Sequence, residues 1–141
     1  MKNYFKILRP GINSTFQDTG RFGLQHLGIA PSGCMDKSLF FLANKLVGNE
    51  ISEGALEFAY QGPLLELVGE SALVAVSGKV NFNIINNNGE IKQGIPYESF
   101  ILSSGESLDI ISTIDSVYGY LSIFGGFKLE KTKGSISTLV R

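Results

Sequence analysis

The stretch VNFNIINNNG, residues 80–89, decides the fold class. In its first half the apolar Val80, Phe82 and Ile84 alternate with polar neighbours, and this period of two is typical of a strand with one buried face. Its second half, Asn86–Gly89, predicts a hairpin turn, because Asn and Gly adopt positive φ angles at low cost. The stretch therefore predicts a strand that reverses at once into a second strand.

Outward from this stretch, short apolar runs recur between turn signals such as Gln61–Pro63 and Ser103–Glu106. We predict strands at residues 4–9, 14–17, 55–60, 64–68, 73–76, 80–84, 100–102, 108–111 and 117–124. The run at 117–124, which Gly125-Gly126 ends, is predicted to be the last long strand. Residues 128–133 are polar, and residues 134–141 begin a further element.

One helix is predicted, over about residues 36–47. Asp36 stands at the N-cap position, where its carboxylate accepts a hydrogen bond from an amide of the first turn. Gly48-Asn49 closes the helix, because glycine adopts the left-handed conformation at low cost. Between these ends, apolar residues recur with helical spacing at Leu39, Leu42, Ala43 and Leu46. Short strands with one helix predict a mainly β fold, either a barrel or a sandwich with a helical plug.

Composition excludes several classes of function. The 141 residues match one typical domain, and 43% of them are hydrophobic, which is enough to bury a core. Twelve basic side chains face thirteen acidic ones, so the chain lacks the basic patch that nucleic-acid binding requires. No apolar run is long enough to span a membrane, and no signal peptide is recognisable. Since a single cysteine fits a reducing compartment, we predict a soluble cytoplasmic protein with no nucleic-acid or membrane partner.

The glycine-rich stretch QDTGRFGLQHLGIAPSGCMD, residues 17–36, contains the single His and the single Cys of the sequence. Zinc accepts all three side-chain types of His26, Cys34 and Asp36, but a closed site needs four ligands, and the sequence has no second His or Cys. We therefore predict no metal site. Cys34 and His26 could form a thiolate pair, whereas a small buried Cys is the commoner state.

Charged residues leave further alternatives open. Asp18 and Arg21 could pair and brace the loop, or present a carboxylate and a guanidinium to a ligand. Glu57 and Asp109 lie in predicted strands, where surface charges are commoner than an acid/base pair. No nucleophile elbow or P-loop is present. The glycines at 20, 23, 28 and 33 leave two alternatives open. They could expose backbone amides that bind an anion, or they could only allow the chain to form a winding loop.

An ordered series of motifs resembles one family. The series comprises Leu8–Gly11, Thr15–Arg21, Gly23, Gly28, Ser32-Gly33, Met35-Asp36, Asn44–Asn49, Ala55–Glu57, Gly62-Pro63, Tyr120-Leu121, Gly125–Phe127 and a Gly-Ser-x-Ser-Thr motif at 134–138. From Leu8 to Arg141 the chain resembles the allophanate hydrolase subunit 2 family, whose members are also called KipA-like proteins, biotin-dependent carboxyltransferase-like proteins and PxpC subunits of 5-oxoprolinase. Ser77–Lys79 departs from the pattern, because relatives often carry a Gly-Ala pair there.

The resemblance implies a cyclophilin-like β-barrel for residues 1–141, as a single domain that corresponds to the N-terminal half of the family's usual two-domain chain. It implies a subunit of an ATP-dependent hydrolase complex that opens a small-molecule amide such as 5-oxoproline and is not active alone. The implied partners are a KipI-like (PxpB) subunit and a PxpA-like subunit, with ATP bound at the level of the complex. Two alternatives stay open: a KipA-type regulatory module that sequesters a KipI-like kinase inhibitor, and a carboxyltransferase-like domain of the urea-carboxylase type.

The same resemblance implies which residues form the site. Opening a stable lactam requires hydrogen-bond donors for developing oxyanion charge and a cleft that excludes water. The expected catalytic residues are Arg21, Asp18 and Ser32. The expected substrate or partner cleft comprises Gln17, Gly20, Gly33, Asp36, Asn44, Ser135, Ser137 and Thr138.

Overall fold

The computed structural model describes residues 3–11, 14–17, 35–51, 53–114, 117–132 and 135–140. Within these ranges the chain forms twelve strands and one helix, α1 (Lys37–Leu46). The strands are β1 (Asn3–Arg9), β2 (Thr15–Gln17), β3 (Ala55–Ala59), β4 (Leu64–Val68), β5 (Ala72–Ser77), β6 (Val80–Ile85), β7 (Ile91–Gln93), β8 (Phe100–Leu102), β9 (Ser107–Thr113), β10 (Tyr118–Ile123), β11 (Phe127–Thr132) and β12 (Ser135–Val140). Among the described residues, no helix has the length and apolar character that crossing a membrane requires.

The strands form two sheets. One has seven strands in the order β11-β12-β1-β4-β9-β6-β7, and the other has five in the order β2-β3-β10-β5-β8. Every pairing between described strands is antiparallel. The described part of the chain is therefore mainly β with one helix, which confirms the predicted fold class.

The main hydrophobic core lies between the two sheets. The seven-stranded sheet contributes Phe5, Leu67 and Phe82 to it, and the five-stranded sheet contributes Phe58 and Leu121, together with smaller neighbours. Because successive side chains of a strand point to opposite faces, the five-stranded sheet has a second face that points away from this core.

Helix α1 packs on that second face. Phe40 and Ala43 of the helix form a small cluster with Ala55 and Tyr120 of the sheet, and the rings of Phe40 and Tyr120 meet edge to face at 5.9 Å between centroids. The expectation of a helical plug is therefore wrong. The helix covers the outside of the five-stranded sheet, because apolar side chains of the two sheets already fill the space between them.

Two buried hydroxyls fix α1 to the sheet. Ser77 Oγ on β5 donates to the carbonyl oxygen of Leu39 at 2.7 Å. Ser122 Oγ on β10 donates to the carbonyl oxygen of Ala43. Both serines are fully buried, so each hydroxyl makes its hydrogen bond away from water.

Both ends of α1 follow the predicted capping. Asp36 is the N-cap, and its Oδ1 accepts the amide of the first turn at 3.1 Å. At the other end, the amide of Gly48, which has a φ of 79°, donates to the carbonyl of Lys45 at 3.1 Å. The next amide, of Asn49, donates to the carbonyl of Asn44 at 2.9 Å. This pair of bonds is a Schellman motif, and it confirms the helix end at Gly48.

The buried face of α1 is offset from the predicted stripe. The buried residues are Phe40, Ala43, Asn44 and, just beyond the helix, Val47. The predicted leucines at 39, 42 and 46 are only half-buried. Asn44 is buried on this face because its amide donates to the carbonyls of Ile51 and Glu53 in the segment that follows the helix.

The hairpin predicted at Asn86–Gly89 is confirmed. It joins β6 to β7, its glycine has a φ of 81°, and Asn86 Oδ1 accepts the amides of Asn88 and Glu90, each at 2.9 Å. The turn at Ser103–Glu106 also forms, but β8 and β9 on its two sides belong to different sheets. That turn therefore connects the sheets.

Two further strands follow β10, so the prediction that β10 is the last strand is wrong. β11 and β12 pair with each other as a hairpin, and β12 also pairs with β1. β11 is an edge strand of the seven-stranded sheet. Edge strands often carry charged side chains, and this explains why the polar composition of residues 128–132 is compatible with a strand.

Candidate functional site

Several predicted site residues lie outside the described residues, namely Asp18, Gly20, Arg21, Ser32 and Gly33. His26 and Cys34 lie outside them too. The roles of these residues stay predictions. The described residues next to them in sequence are Gln17 on one side and Met35-Asp36 on the other, and the site is described from these two flanks.

The predicted cleft residues lie on both sheets. Gln17 ends β2, an edge strand of the five-stranded sheet, and pairs with Ala55. The residues Ser135, Ser137 and Thr138 lie on β12 of the seven-stranded sheet. Among the described strands, β2 and β12 share no pairing, so backbone hydrogen bonding does not bring these two groups together.

Asp36 connects the helix to the five-stranded sheet. Its carboxylate accepts the amide of Leu39 at 3.1 Å, and its own amide donates to the hydroxyl of Tyr120 at 2.9 Å. Tyr120 lies on β10, a central strand of the sheet. Asp36, the N-cap residue, is therefore hydrogen-bonded both to the helix and to this strand.

A buried carboxylate lies beside this helix start. Glu57 on β3 is 5% exposed, and its Oε2 accepts the amide of Met35 at 2.8 Å and the hydroxyl of Tyr120. Glu57 and Tyr120 are direct partners across β3 and β10. We call these four groups the Glu57–Tyr120 network: the carboxylate, the phenol hydroxyl, and the amides of Met35 and Asp36.

The interpretation of Glu57 as a surface charge is wrong. All five residues of β3, ALEFA, are buried. A short, largely apolar run without alternation is typical of a strand covered on both faces, and this signal could have identified Glu57 as a buried carboxylate.

Asp109, by contrast, is a partly exposed charge on β9. Its Oδ1 accepts Nη2 of Arg9 at 2.8 Å, and the two side chains are 25% and 37% exposed, respectively. Nη2 of Arg9 also donates to the carbonyl of Gly62 at 3.2 Å. Glu57 and Asp109 lie on different sheets and have separate partners, so the surface interpretation of Asp109 is confirmed.

In the Glu57–Tyr120 network, two donors converge on one oxygen of Glu57 beside the N-terminus of α1. The network holds a segment of backbone in place, since its acceptors bind main-chain amides. Within the described ranges, no group of three or more His, Cys, Asp or Glu residues is arranged to bind a metal ion.

Asn44, a predicted cleft residue, is buried at the other end of α1. Its Nδ2 donates to the carbonyls of Ile51 and Glu53 at 3.2 and 2.8 Å, respectively. Both amide hydrogens are therefore used within the chain. Nearby, Asn49 donates to the carbonyl of Ile123 at 2.7 Å and accepts the amide of Gly125 at 2.8 Å.

Known proteins with similar sequences have larger chains. The urea amidolyase of Saccharomyces cerevisiae is 34% identical over 134 residues, which cover 94% of this chain and 7% of that protein. The C subunit of 5-oxoprolinase from Haemophilus influenzae is 31% identical over 135 residues, which cover 96% of this chain and 42% of that protein. The chain thus spans less than half the length of these curated relatives.

Solved structures have the same fold. The crystal structure of Kluyveromyces lactis urea carboxylase matches with a TM-score of 0.75 and 34% identity, over 94% of this chain and 11% of that one. A family model described as carboxyltransferase domain, subdomain A and B, matches residues 27–141. These matches confirm the resemblance found in the motifs, and the chain belongs to the family of carboxyltransferase domains, subdomain A and B.

Proposed function

We propose that this chain is a domain of an ATP-dependent, amide-cleaving hydrolase of the 5-oxoprolinase type, active only within a complex. The similarity to the C subunit of 5-oxoprolinase carries the proposal, because it extends over 96% of the chain. That relative is named as one subunit of an enzyme, which supports a multi-subunit assembly. The proposed partners are a KipI-like (PxpB) subunit and a PxpA-like subunit, with ATP bound by the complex, in the cytoplasm.

The proposed chemistry needs donors at one place. As a nucleophile adds to the carbonyl carbon of a cyclic amide, negative charge develops on the carbonyl oxygen, and preorganised donors stabilise that charge until the carbon–nitrogen bond breaks and the nitrogen takes a proton. We assign this role to Arg21 and Ser32, with Asp18 orienting the guanidinium. Support comes from the sequence, in which Ser32 stands three residues before Met35, whose amide donates to Glu57, and Arg21 stands upstream in the same glycine-rich stretch.

A second candidate is a carboxyltransferase-like domain of the urea-carboxylase type. The 34% identity to urea amidolyase and the TM-score of 0.75 to urea carboxylase favour it. The two candidates differ in substrate class, a cyclic amide in one case and urea in the other, so one assay with both substrates separates them.

The test begins with co-expression of this chain with KipI-like and PxpA-like proteins encoded beside it. Size-exclusion chromatography with light scattering measures complex formation, and glutamate production from 5-oxoproline and ATP measures activity. Arg21→Ala should abolish activity without preventing assembly, and Arg21→Lys should recover little, since an ammonium lacks the planar fork of guanidinium. Lys6→Ala is the matched control, because it removes an exposed cation on β1.

Each outcome decides between the candidates. A stable complex that forms glutamate supports the 5-oxoprolinase assignment. A complex that consumes ATP with urea and not with 5-oxoproline supports the urea-carboxylase type. A folded chain that binds neither partner contradicts the proposed assembly.

A further inference from the structure

The Glu57–Tyr120 network fixes two consecutive amides of the main chain. The amide of Met35 donates to Glu57 Oε2 at 2.8 Å, and the amide of Asp36 donates to the Tyr120 hydroxyl at 2.9 Å. The same hydroxyl donates to Glu57 Oε2, so the phenol is a donor and an acceptor at once. Each side chain therefore orients the other, and together they define where Met35-Asp36 lies.

The two side chains have a rigid setting. Glu57 and Tyr120 pair across β3 and β10, and both strands are interior strands of the five-stranded sheet. Tyr120 is fully buried and packs against Phe40. Because the acceptors are fixed by strands paired on both sides, they set the position of the amides that bind them.

A carboxylate is an unfavourable group to bury at the interface between a helix and a sheet. Burying one is unfavourable unless several donors compensate it, and apolar side chains such as Ala55 and Phe40 cover the same interface without that cost. The hydrogen bonds of the carboxylate and the phenol are directional, so they require one placement of the Met35-Asp36 backbone, which apolar contacts do not.

We infer that Glu57 and Tyr120 are positioning residues for the proposed site. They fix the point at which the segment that carries Arg21 and Ser32 joins α1. The catalytic part of this inference rests on the proposed function. Ser32 stands three residues before Met35, and a displacement of about 1 Å at a reacting group can lower a rate by about a hundredfold.

The structural part is tested on the chain itself by amide hydrogen exchange, followed residue by residue with NMR. Tyr120→Phe keeps the ring against Phe40 and removes the acceptor of the Asp36 amide. Exchange at Asp36 and Met35 should accelerate by about tenfold, whereas exchange at Phe40, whose amide donates to the Asp36 carbonyl at 3.0 Å, should stay unchanged. Unchanged exchange at Asp36, or equal acceleration throughout α1 and β10, overturns the inference.

The catalytic part is tested on the reconstituted complex with 5-oxoproline and ATP. The matched control is the double variant Ser77→Ala/Ser122→Ala, which removes two buried hydroxyls from the same helix–sheet interface and leaves Met35-Asp36 untouched. We expect Tyr120→Phe to lower kcat by at least about tenfold with KM changed less than about twofold. The control should keep kcat within about twofold at a comparable loss of Tm.

Conservative substitution provides a further readout. Glu57→Gln keeps the shape and an acceptor oxygen, so it should retain more kcat than Glu57→Ala at equal protein stability. If all variants lose kcat in proportion to their loss of Tm, the network is only a brace of the fold and the inference is wrong. If the wild-type complex turns over no 5-oxoproline, the proposed function fails and the catalytic part fails with it, while amide exchange still decides the structural part.

Discussion

Replacement of Asn44 separates a role in the fold from a role in the chemistry. Its side chain is fully buried, and Nδ2 donates to the carbonyls of Ile51 and Glu53. Asn44→Ala removes both hydrogen bonds and leaves these two carbonyl oxygens without their donor. The segment that follows α1 then loses two side-chain hydrogen bonds to the helix.

The size of the effect can be worked out from these contacts. A buried hydrogen bond contributes about 1 kcal/mol net, so two bonds contribute about 2 kcal/mol. Unpaired carbonyls and the small cavity add about 1–2 kcal/mol, which gives a total of about 3–4 kcal/mol. For a chain of 141 residues, each kcal/mol lowers Tm by about 3–5 °C, so Tm should fall by about 9–20 °C.

The measurement is urea and thermal unfolding followed by far-UV circular dichroism, since the chain has no Trp. The control is Asn88→Ala, an exposed asparagine in the β6–β7 turn, which should change the free energy of unfolding by less than about 0.5 kcal/mol. The reasoning is refuted if Asn44→Ala unfolds like the wild type but abolishes activity of the complex. The amide would then act on the substrate, as the family resemblance implies.

Two other substitutions test the backbone by the same unfolding measurement. A Cβ at Gly94 would overlap the ring of the buried Phe82, so Gly94→Ala should lower the free energy of unfolding by about 1–3 kcal/mol. This loss should be smaller in a Phe82→Leu background. An equal loss in both backgrounds would exclude the overlap as its cause. Tyr60 has a φ of 65° and is 60% exposed, so Tyr60→Gly should increase stability by about 0.5–1 kcal/mol and Tyr60→Ala should not. A loss in both variants would mean that the ring contributes more than the backbone strain.

The elements with local signals were predictable from the sequence. The cap at Asp36, the glycine at 48 and the hairpin at Asn86–Gly89 each depend on residues within one turn. Interactions between residues so close in the chain depend on short sequence patterns. The helix bounds and the mainly β class can therefore be predicted from the sequence.

The burial of Glu57 has a local signal in the apolar run of β3, but its hydrogen-bond partners do not. Met35 lies 22 positions away along the chain and Tyr120 lies 63 positions away. Neither contact leaves a periodic trace near Glu57. The pairing of β12 with β1 also joins residues far apart in the sequence. The polar composition of the residues before β12 gave no strand signal for β11. The roles of Arg21 and Ser32 stay predictions.

The pairing of β1 with β12 has a consequence for how the protein folds. Phe5 pairs with Thr138, so the seven-stranded sheet joins strands from opposite ends of the sequence, and β1 lies between β12 and β4. Contacts of such long sequence separation carry a large loop-closure entropy, which slows folding. During synthesis, the five-stranded sheet and α1 have all their strands by Ile123, whereas β1 acquires its second neighbour only when β12 has left the ribosome. We therefore expect the helix-covered sheet to gain protection first and the seven-stranded sheet to close last, at the rate-limiting step.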